Sequence, residues 1–333
     1  MRNVSGRRVR VGVVGVGSLG FHHARILRDL TGAELVGIHD IDRDRLEAVS
    51  SELGVRAFDE LDPLLDAVSA VVVAVPTTSH EAVACAALER GVHVLVEKPI
   101  APSLDAADRI LEAAARTGAL VQIGHVERFN GALRACEPYL DEPLFVESHR
   151  LAPFGMRGTD VAVVLDLMIH DLDLVLSLVP RPVTSIAAVG VPVLTVSPDI
   201  ANARLEFEGG CVANLTASRV SLERKRKIRF FQRSGYISLD LAAGTGEFLR
   251  LRPGVAFEPG VPLPGTGLDD LVERIALIGD GKEPLRCELE SFLAAVRGDA
   301  PVAVSGEDGR RALAVALEII ERIEDHVAHS STA

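Results

Sequence analysis

The sequence predicts an α/β protein in two parts: a doubly wound parallel sheet over 1–125, followed over 126–330 by an α+β domain with a large, mostly antiparallel open sheet. Three observations carry this reading. Residues 8–125 alternate short apolar runs with amphipathic stretches, as expected of strands covered by helices on both faces. The first apolar run enters a glycine turn, Gly15-x-Gly17-x-x-Gly20, with a helical pattern directly behind it. After residue 125 the alternation gives way to successive β-like stretches with few helices between them.

In chain order, the first part reads as the strands VRVGVVG (9–15), AELVGIHD (33–40), AVVVAVP (70–76), VHVLVEKP (92–99) and LVQIGH (120–125). Helical patterns at 20–30, 42–53, 79–90 and 103–117 separate them. The second part offers strands at 143–151, 183–196, 200–208, 211–220, 226–240 and 246–252, with helices near 160–178, 284–297 and 306–327. The stretch 253–270 is rich in Gly and Pro and reads as a surface loop.

Composition narrows the function. The 333 residues are 48% hydrophobic and 25% charged, an ordinary globular balance, and the net charge of −12 argues against general affinity for nucleic acid or anionic membrane while leaving room for a local basic pocket. The four cysteines, Cys85, Cys136, Cys211 and Cys287, form no C-x-x-C pair, so neither a zinc knuckle nor a disulfide framework is expected, and a reducing cytoplasm fits. Arg7-Arg8 does not open an export signal, because the apolar run behind it contains Arg10 and enters the glycine turn without a cleavage region. No segment reaches the roughly 18 apolar residues of a membrane span.

The glycine turn has the strand–turn–helix context of a dinucleotide site, a Rossmann arrangement. Gly15 permits the tight turn, Gly17 lets the backbone approach a pyrophosphate, and Gly20 lets helix and strand pack closely. Ser18 and Leu19 open the helix whose N-terminal N–H groups would face the phosphates. Asp40, closing the second strand, is placed to accept from an adenosine ribose diol and to repel a 2′-phosphate. NAD is therefore expected over NADP, with Arg43 the complication, since a nearby arginine can accommodate that phosphate.

The strings AVVVAVPTTSH (70–80) and GVHVLVEKPIA (91–101), together with DLMIHDLD (166–173) and the ending that starts PLRCELESFLAAVRGDAP, resemble the glucose-fructose oxidoreductase / inositol dehydrogenase / MocA family over nearly the whole chain. The resemblance implies that Lys98 of Glu97-Lys98-Pro99 and His170 of Asp166-x-x-x-His170 act at the nicotinamide. Their chemistry suits that role independently. Oxidation of a secondary alcohol needs a base with a pKa near ambient pH, which histidine supplies unmodified. Asp166, four residues before His170 in a helical pattern, shares its face and can orient and stabilise the imidazolium. Lys98, just beyond a parallel strand's carboxyl end, can stabilise a developing alkoxide. The base role is assigned to His170, although a desolvated lysine can also serve as a base.

The resemblance further places Glu97, Pro76, Thr77 and His80 at the cofactor, with capping of the next helix the alternative for His80. GHVERFN (124–130) resembles the family's domain-junction segment, with Gly131 where a proline often follows. His125, Glu127, Arg128 and Asn130 face either the substrate or the domain interface; Arg128 and Asn130 are taken as substrate candidates. His22-His23 lack a carboxylate or cysteine at metal spacing and read as packing or solvated residues, so no metal site is expected.

The segment 150–179 resembles the family branch that includes UDP-N-acetylglucosamine 3-dehydrogenases, whose 3-keto product an aminotransferase would convert to a 3-amino sugar for lipid A or another glycan. A nucleotide-sugar diphosphate needs cations, and Arg150, Arg157 and the run RVSLERKRKIRF (219–230) are candidates, a solvated or subunit-facing strand being the alternative for the run. A free sugar or inositol is the alternative substrate, and a non-catalytic dinucleotide-binding regulator the alternative of another class. A homodimer or homotetramer through the open sheet is expected, with no nucleic-acid or membrane partner.

Overall fold

The computed structural model describes residues 8–155, 161–252 and 271–330. The chain divides into two compact units, one of residues 1–126 with 283–314, the other of 127–282 with 315–333.

The first unit is a parallel sheet of β1 (Val9–Val14), β2 (Ala33–His39), β3 (Ala70–Val73), β4 (His93–Glu97) and β5 (Val121–Gly124), in the order β2-β1-β3-β4-β5. Its strands are apolar and nearly all buried because α1 (Ser18–Asp29), α2 (Arg43–Leu53), α3 (Leu61–Leu65), α4 (His80–Leu88) and α5 (Leu104–Thr117) make the crossovers. Two helix starts have a local cause: the Asp42 side chain accepts from Arg45 N–H at 3.1 Å, and Ser103 Oγ accepts from Ala106 N–H at 3.3 Å.

The second unit holds α6 (Gly131–Cys136), β6 (Phe145–Leu151), a π-helical turn (Val164–Met168) continuing into α7 (Ile169–Leu178), and β7 (Val183–Val191), β8 (Ile200–Phe207), β9 (Val212–Ser218), β10 (Lys225–Gln232), β11 (Gly235–Asp240), β12 (Thr245–Leu251) and β13 (Val272–Ile278). The strand order is β13-β12-β11-β10-β6-β9-β8-β7, antiparallel except for the β6–β9 pair. Period-two alternation sorts the faces: Ala201, Ala203, Leu205, Ala213, Leu215, Ile228, Phe230, Ile237 and Leu239 are buried, while Asn202, Arg204 and Glu206 face out.

Three differences from the sequence reading have physical causes. The stretch 226–240, an unbroken β pattern, folds back at Arg233-Ser234 into β10 and β11. Gly235 allows the turn, with φ at 153° and a would-be Cβ 2.3 Å from Leu249 O. β13 was not anticipated, since Glu273 and Arg274 interrupt its apolar pattern; they pair across the antiparallel ladder with Arg250 and Glu247 of β12.

The third concerns α8 (Pro284–Arg297) and the start of α9 (Gly306–Ser330), expected in the second domain but belonging to the first unit. The cause is burial: Leu289, Phe292 and Leu293 of α8 share one core with Val9, Val11 and Val13 of β1 and Ala24 and Leu27 of α1. Phe292→Ala should therefore destabilise the first unit by about 3–5 kcal/mol, read as a lower urea midpoint; a loss below about 1 kcal/mol would contradict this packing.

Candidate active site

The glycine turn connects β1 to α1 under tight steric limits. Gly15 has φ at 83°, and a Cβ there would lie 2.7 Å from the Ala74 backbone; a Cβ on Gly20 would lie 1.8 Å from Gly15 O. Only glycine lets the first turn of α1 sit this close to β1. At Gly17, in contrast, a Cβ would meet nothing within 4 Å, and Gly17, Ser18 and Leu19 are exposed. Gly17 caps α1 without a side-chain hydrogen bond, so the helix start is an open cradle of backbone, suited to a pyrophosphate.

Asp40 is half-buried beside the turn and holds its shape. Its Oδ2 accepts from Val16 N–H at 2.7 Å and its Oδ1 from Asp42 N–H at 2.9 Å. Each carboxylate oxygen has a second lone pair with which to receive a ribose hydroxyl. Arg45 fastens the same turn, its Nε donating to Val16 O at 2.8 Å.

Beyond β3, Pro76 is exposed and Thr77 half-buried in a 3-10 turn over Thr77–Ser79. His80, 1% exposed, faces Pro99 O with Nδ1 at 2.9 Å and Val75 O with Nε2 at 3.0 Å. Burial lowers its pKa, against the opposing pull of the two carbonyls. Its ring thus joins the loop after β3 to the loop after β4: His80 positions the predicted cofactor loop from behind. Beyond β4, the Lys98–Pro99 peptide bond is cis and Lys98 is half-buried. Glu97 points inward, its Oε1 2.7 Å from His23 Nε2 and its Oε2 accepting from Lys98 N–H at 3.3 Å. His23 is thus not a solitary packing residue; its carboxylate partner is 74 residues away in sequence, beyond any local spacing rule.

In the second unit Asp166 lies within the π-helical turn and His170 is the second residue of α7, both half-buried. A π turn inside an α-helix often marks a functional site. Behind this face lies a buried ionic network that the sequence did not reveal. Arg150 on β6 donates to Asp171 through Nε at 3.0 Å and Nη2 at 2.8 Å, and to Glu127 through Nη1 at 2.9 Å. Burial alone would lower the Arg150 pKa, but the carboxylates of Asp171 and Glu127 outweigh it and hold the guanidinium charged. Arg128 grips Asp173 with two further bonds, at 2.6 and 2.8 Å. Asp171 and Asp173, both on α7, are thereby fixed to β6 and to the segment before α6.

These partners revise several assignments. Arg150, 3% exposed and enclosed by two carboxylates, is a positioning residue and not a diphosphate ligand. Asn130, 4% exposed, caps α6 through Ala132 N–H at 3.1 Å and donates to Glu127 at 3.1 Å and Leu241 O at 2.9 Å, so its amide serves the fold. Arg157 lies outside the described residues. Within 219–230, Arg219 is buried and donates to Val161 O, whereas Lys227 and Arg229 face the open side and pair with Asp240 and Glu147. Arg226 alone of these turns to the inner face, opposite Arg150 and 3.6 Å from Glu127 with its side chain 46% exposed, a cation that alternation along β10 could have singled out. His125 is buried just beyond β5. Gly131, where a proline was expected, has a would-be Cβ 2.9 Å from Gly279 Cα, so this chain needs glycine there.

Among the described residues, no helix is long and apolar enough to cross a membrane. Removing one partner of a dry charge network strands the others. Arg150→Ala should therefore cost about 3–5 kcal/mol in urea unfolding; a change within about 0.5 kcal/mol would show that the network carries no stability.

Comparison with known proteins gives a consistent result. Residues 9–125 match the model of an oxidoreductase family with an NAD-binding Rossmann fold, and 115–238 match the GFO/IDH/MocA C-terminal domain. The UDP-N-acetylglucosamine 3-dehydrogenase of Acidithiobacillus ferrooxidans is 38% identical over 317 residues, covering 95% of this chain and 97% of that one. A solved structure of that enzyme superposes with a TM-score of 0.87 at 36% identity, over 96% of this chain and 98% of the other. The myo-inositol 2-dehydrogenase of Thermotoga maritima is 26% identical over 95% of this chain and 97% of its own length. With the glycine turn, Glu97-Lys98-Pro99 and Asp166-x-x-x-His170 in place, the chain belongs to the Gfo/Idh/MocA family of oxidoreductases.

Proposed function

We propose that the protein is an NAD-dependent dehydrogenase that oxidises the 3-hydroxyl of UDP-N-acetylglucosamine to a ketone. The observation that carries the substrate is the near-full-length similarity to the A. ferrooxidans enzyme, at 38% identity against 26% over the same span for the T. maritima inositol enzyme. The bound nicotinamide supplies the hydride acceptor. His170 takes the hydroxyl proton, Asp166 one turn earlier stabilises the resulting imidazolium, and Lys98 offsets the negative charge developing on the carbinol oxygen. Gly17, Ser18 and Leu19 hold the pyrophosphate, and Pro76 and Thr77 border the cofactor.

Two observations support NAD over NADP. Asp40 repels a 2′-phosphate, and the next residue, Ile41, is 93% exposed and offers an apolar face to an adenine. Arg226 is the best-placed described cation for the sugar diphosphate.

The open face of the second sheet fits a further copy of this chain. Phe145, Phe231 and Tyr236 form an aromatic ladder across it, with ring centroids 5.5 and 4.9 Å apart, and Val189 and Val191 are exposed. Phe231→Arg should shift a homodimer or homotetramer toward monomer in light scattering; a wild-type monomer at micromolar concentration would refute this assembly.

The substrate reading is tested with UDP-sugars and free polyols by the absorbance of reduced NAD. Turnover with UDP-N-acetylglucosamine supports it, while activity on inositol alone makes the enzyme a polyol dehydrogenase. Lys98→Ala and His170→Ala should each lower kcat by about 10²–10⁴-fold with NAD affinity by calorimetry little changed. Asp40→Ser should narrow the gap between NAD and NADP.

A further inference from the structure

Three buried polar groups of the first unit remain outside the mechanism above. His23 is 0% exposed, Glu97 8% and Glu288 0%, and their ligand-capable atoms lie within 4.8 Å of one another. They come from three elements: α1 directly after the glycine turn, the last residue of β4, and α8. Glu97 is well supplied with donors, from His23 at 2.7 Å and from Lys98 N–H at 3.3 Å. Glu288 is the opposite case: neither carboxylate oxygen has a hydrogen-bond partner among the described residues. Its main-chain carbonyl accepts from Gln122 Nε2 of β5 at 3.3 Å, and its side chain is fully buried.

We propose that His23, Glu97 and Glu288 form a proton-sharing cluster in which Glu288 is a neutral carboxylic acid and Glu97 carries the single negative charge, directly behind Lys98, as a positioning residue for it.

Two carboxylates this close in a dry interior do not both ionise, and the proton goes to the one with fewer donors. The groups facing the cluster agree. His23 approaches from α1 and the Lys98 N–H from the residue after β4; both donors favour the anion on Glu97. Burial pushes the Glu288 pKa well up, and repulsion from Glu97 adds to it. For Glu97, burial acts in the same direction, but the hydrogen bond and charge of His23, with the charge and N–H of Lys98, outweigh it and leave its pKa lowered. The anion keeps the main chain at Lys98 in place through the Lys98 N–H. The proton count stands on the cluster alone; the role at Lys98 rests on the dehydrogenase reading.

The test separates the two. An acid whose folded pKa is raised costs stability as pH rises from its unfolded value of about 4.3 toward its folded value. Glu288→Gln keeps the shape and removes the titration. The melting temperature of E288Q minus that of wild type should therefore grow with pH, by about 4 °C or more between pH 5 and pH 8. Parallel melting curves against pH, or a stoichiometric divalent metal in the purified protein, would overturn the proton-sharing cluster. In the enzyme assay, E97Q should lower kcat at least about tenfold and displace the pH profile, with KM for NAD within about threefold. E288A should lose turnover that E288Q restores. Wild-type kcat and pH profile in folded E97Q would overturn the positioning role at Lys98, whatever the melting data show.

Discussion

The first unit depends on the contact between Gly20 and Gly15 O, where a single Cβ would lie 1.8 Å from a backbone oxygen. This contact fixes α1 against β1, and much else is attached to α1. Its N-terminus is exposed at Gly17, Ser18 and Leu19, and further along the helix His23 meets the Glu97 carboxylate at 2.7 Å. Glu97 in turn accepts from the N–H of Lys98. The glycine fingerprint is therefore more than a cofactor device. The close approach of α1 to β1 also sets the depth of His23, which contacts Glu97 of the Glu-Lys-Pro segment.

The second unit reaches the same end by different means. Here Asp166 and His170 lie at a π-to-α junction, and a π turn alone is a weak support. Rigidity comes from Arg150 and Arg128, each gripping an aspartate of α7 with two hydrogen bonds. Such buried pairs are poor investments in stability compared with well-packed apolar side chains. They give a directional constraint that apolar contacts do not: a planar guanidinium bound to a carboxylate through two bonds fixes rotation as well as distance. That constraint holds Asp166 and His170, at the start of the same helix, in a fixed orientation.

Much of the fold was legible because local periodicity records burial. The five parallel strands alternate with amphipathic helices, and α8 was located at 284–297 from its pattern alone. Its membership in the first unit was not legible, because the pattern shows that Leu289, Phe292 and Leu293 are buried but not against what. The same limit applies to the site. Gly15, Asp40, Lys98 and His170 stand in motifs, whereas Arg150 is recognisable as a positioning residue only when Asp171 and Glu127 are seen around it, and Glu288 only when Glu97 is. Charges invite a reading as ligands when their partners are remote in sequence.

That distinction separates the cations of this acidic chain. Arg128 and Arg150 are enclosed by their own aspartates and glutamate, so their charge is already neutralised before any ligand arrives. Lys227 and Arg229 are paired on the outer face. Strand alternation turns Arg226 inward beside Arg150, yet its nearest acid, Glu127, is already bound by Arg150 at 2.9 Å and lies 3.6 Å from Arg226. Three guanidiniums, Arg128, Arg150 and Arg226, face three carboxylates, Asp171, Asp173 and Glu127, so the network is neutral, and its loosest contact is the 3.6 Å one between Arg226 and Glu127 at the exposed end. A dianionic group there gains more from Arg226 than from any fully matched pair, because a matched pair must first give up its own carboxylate.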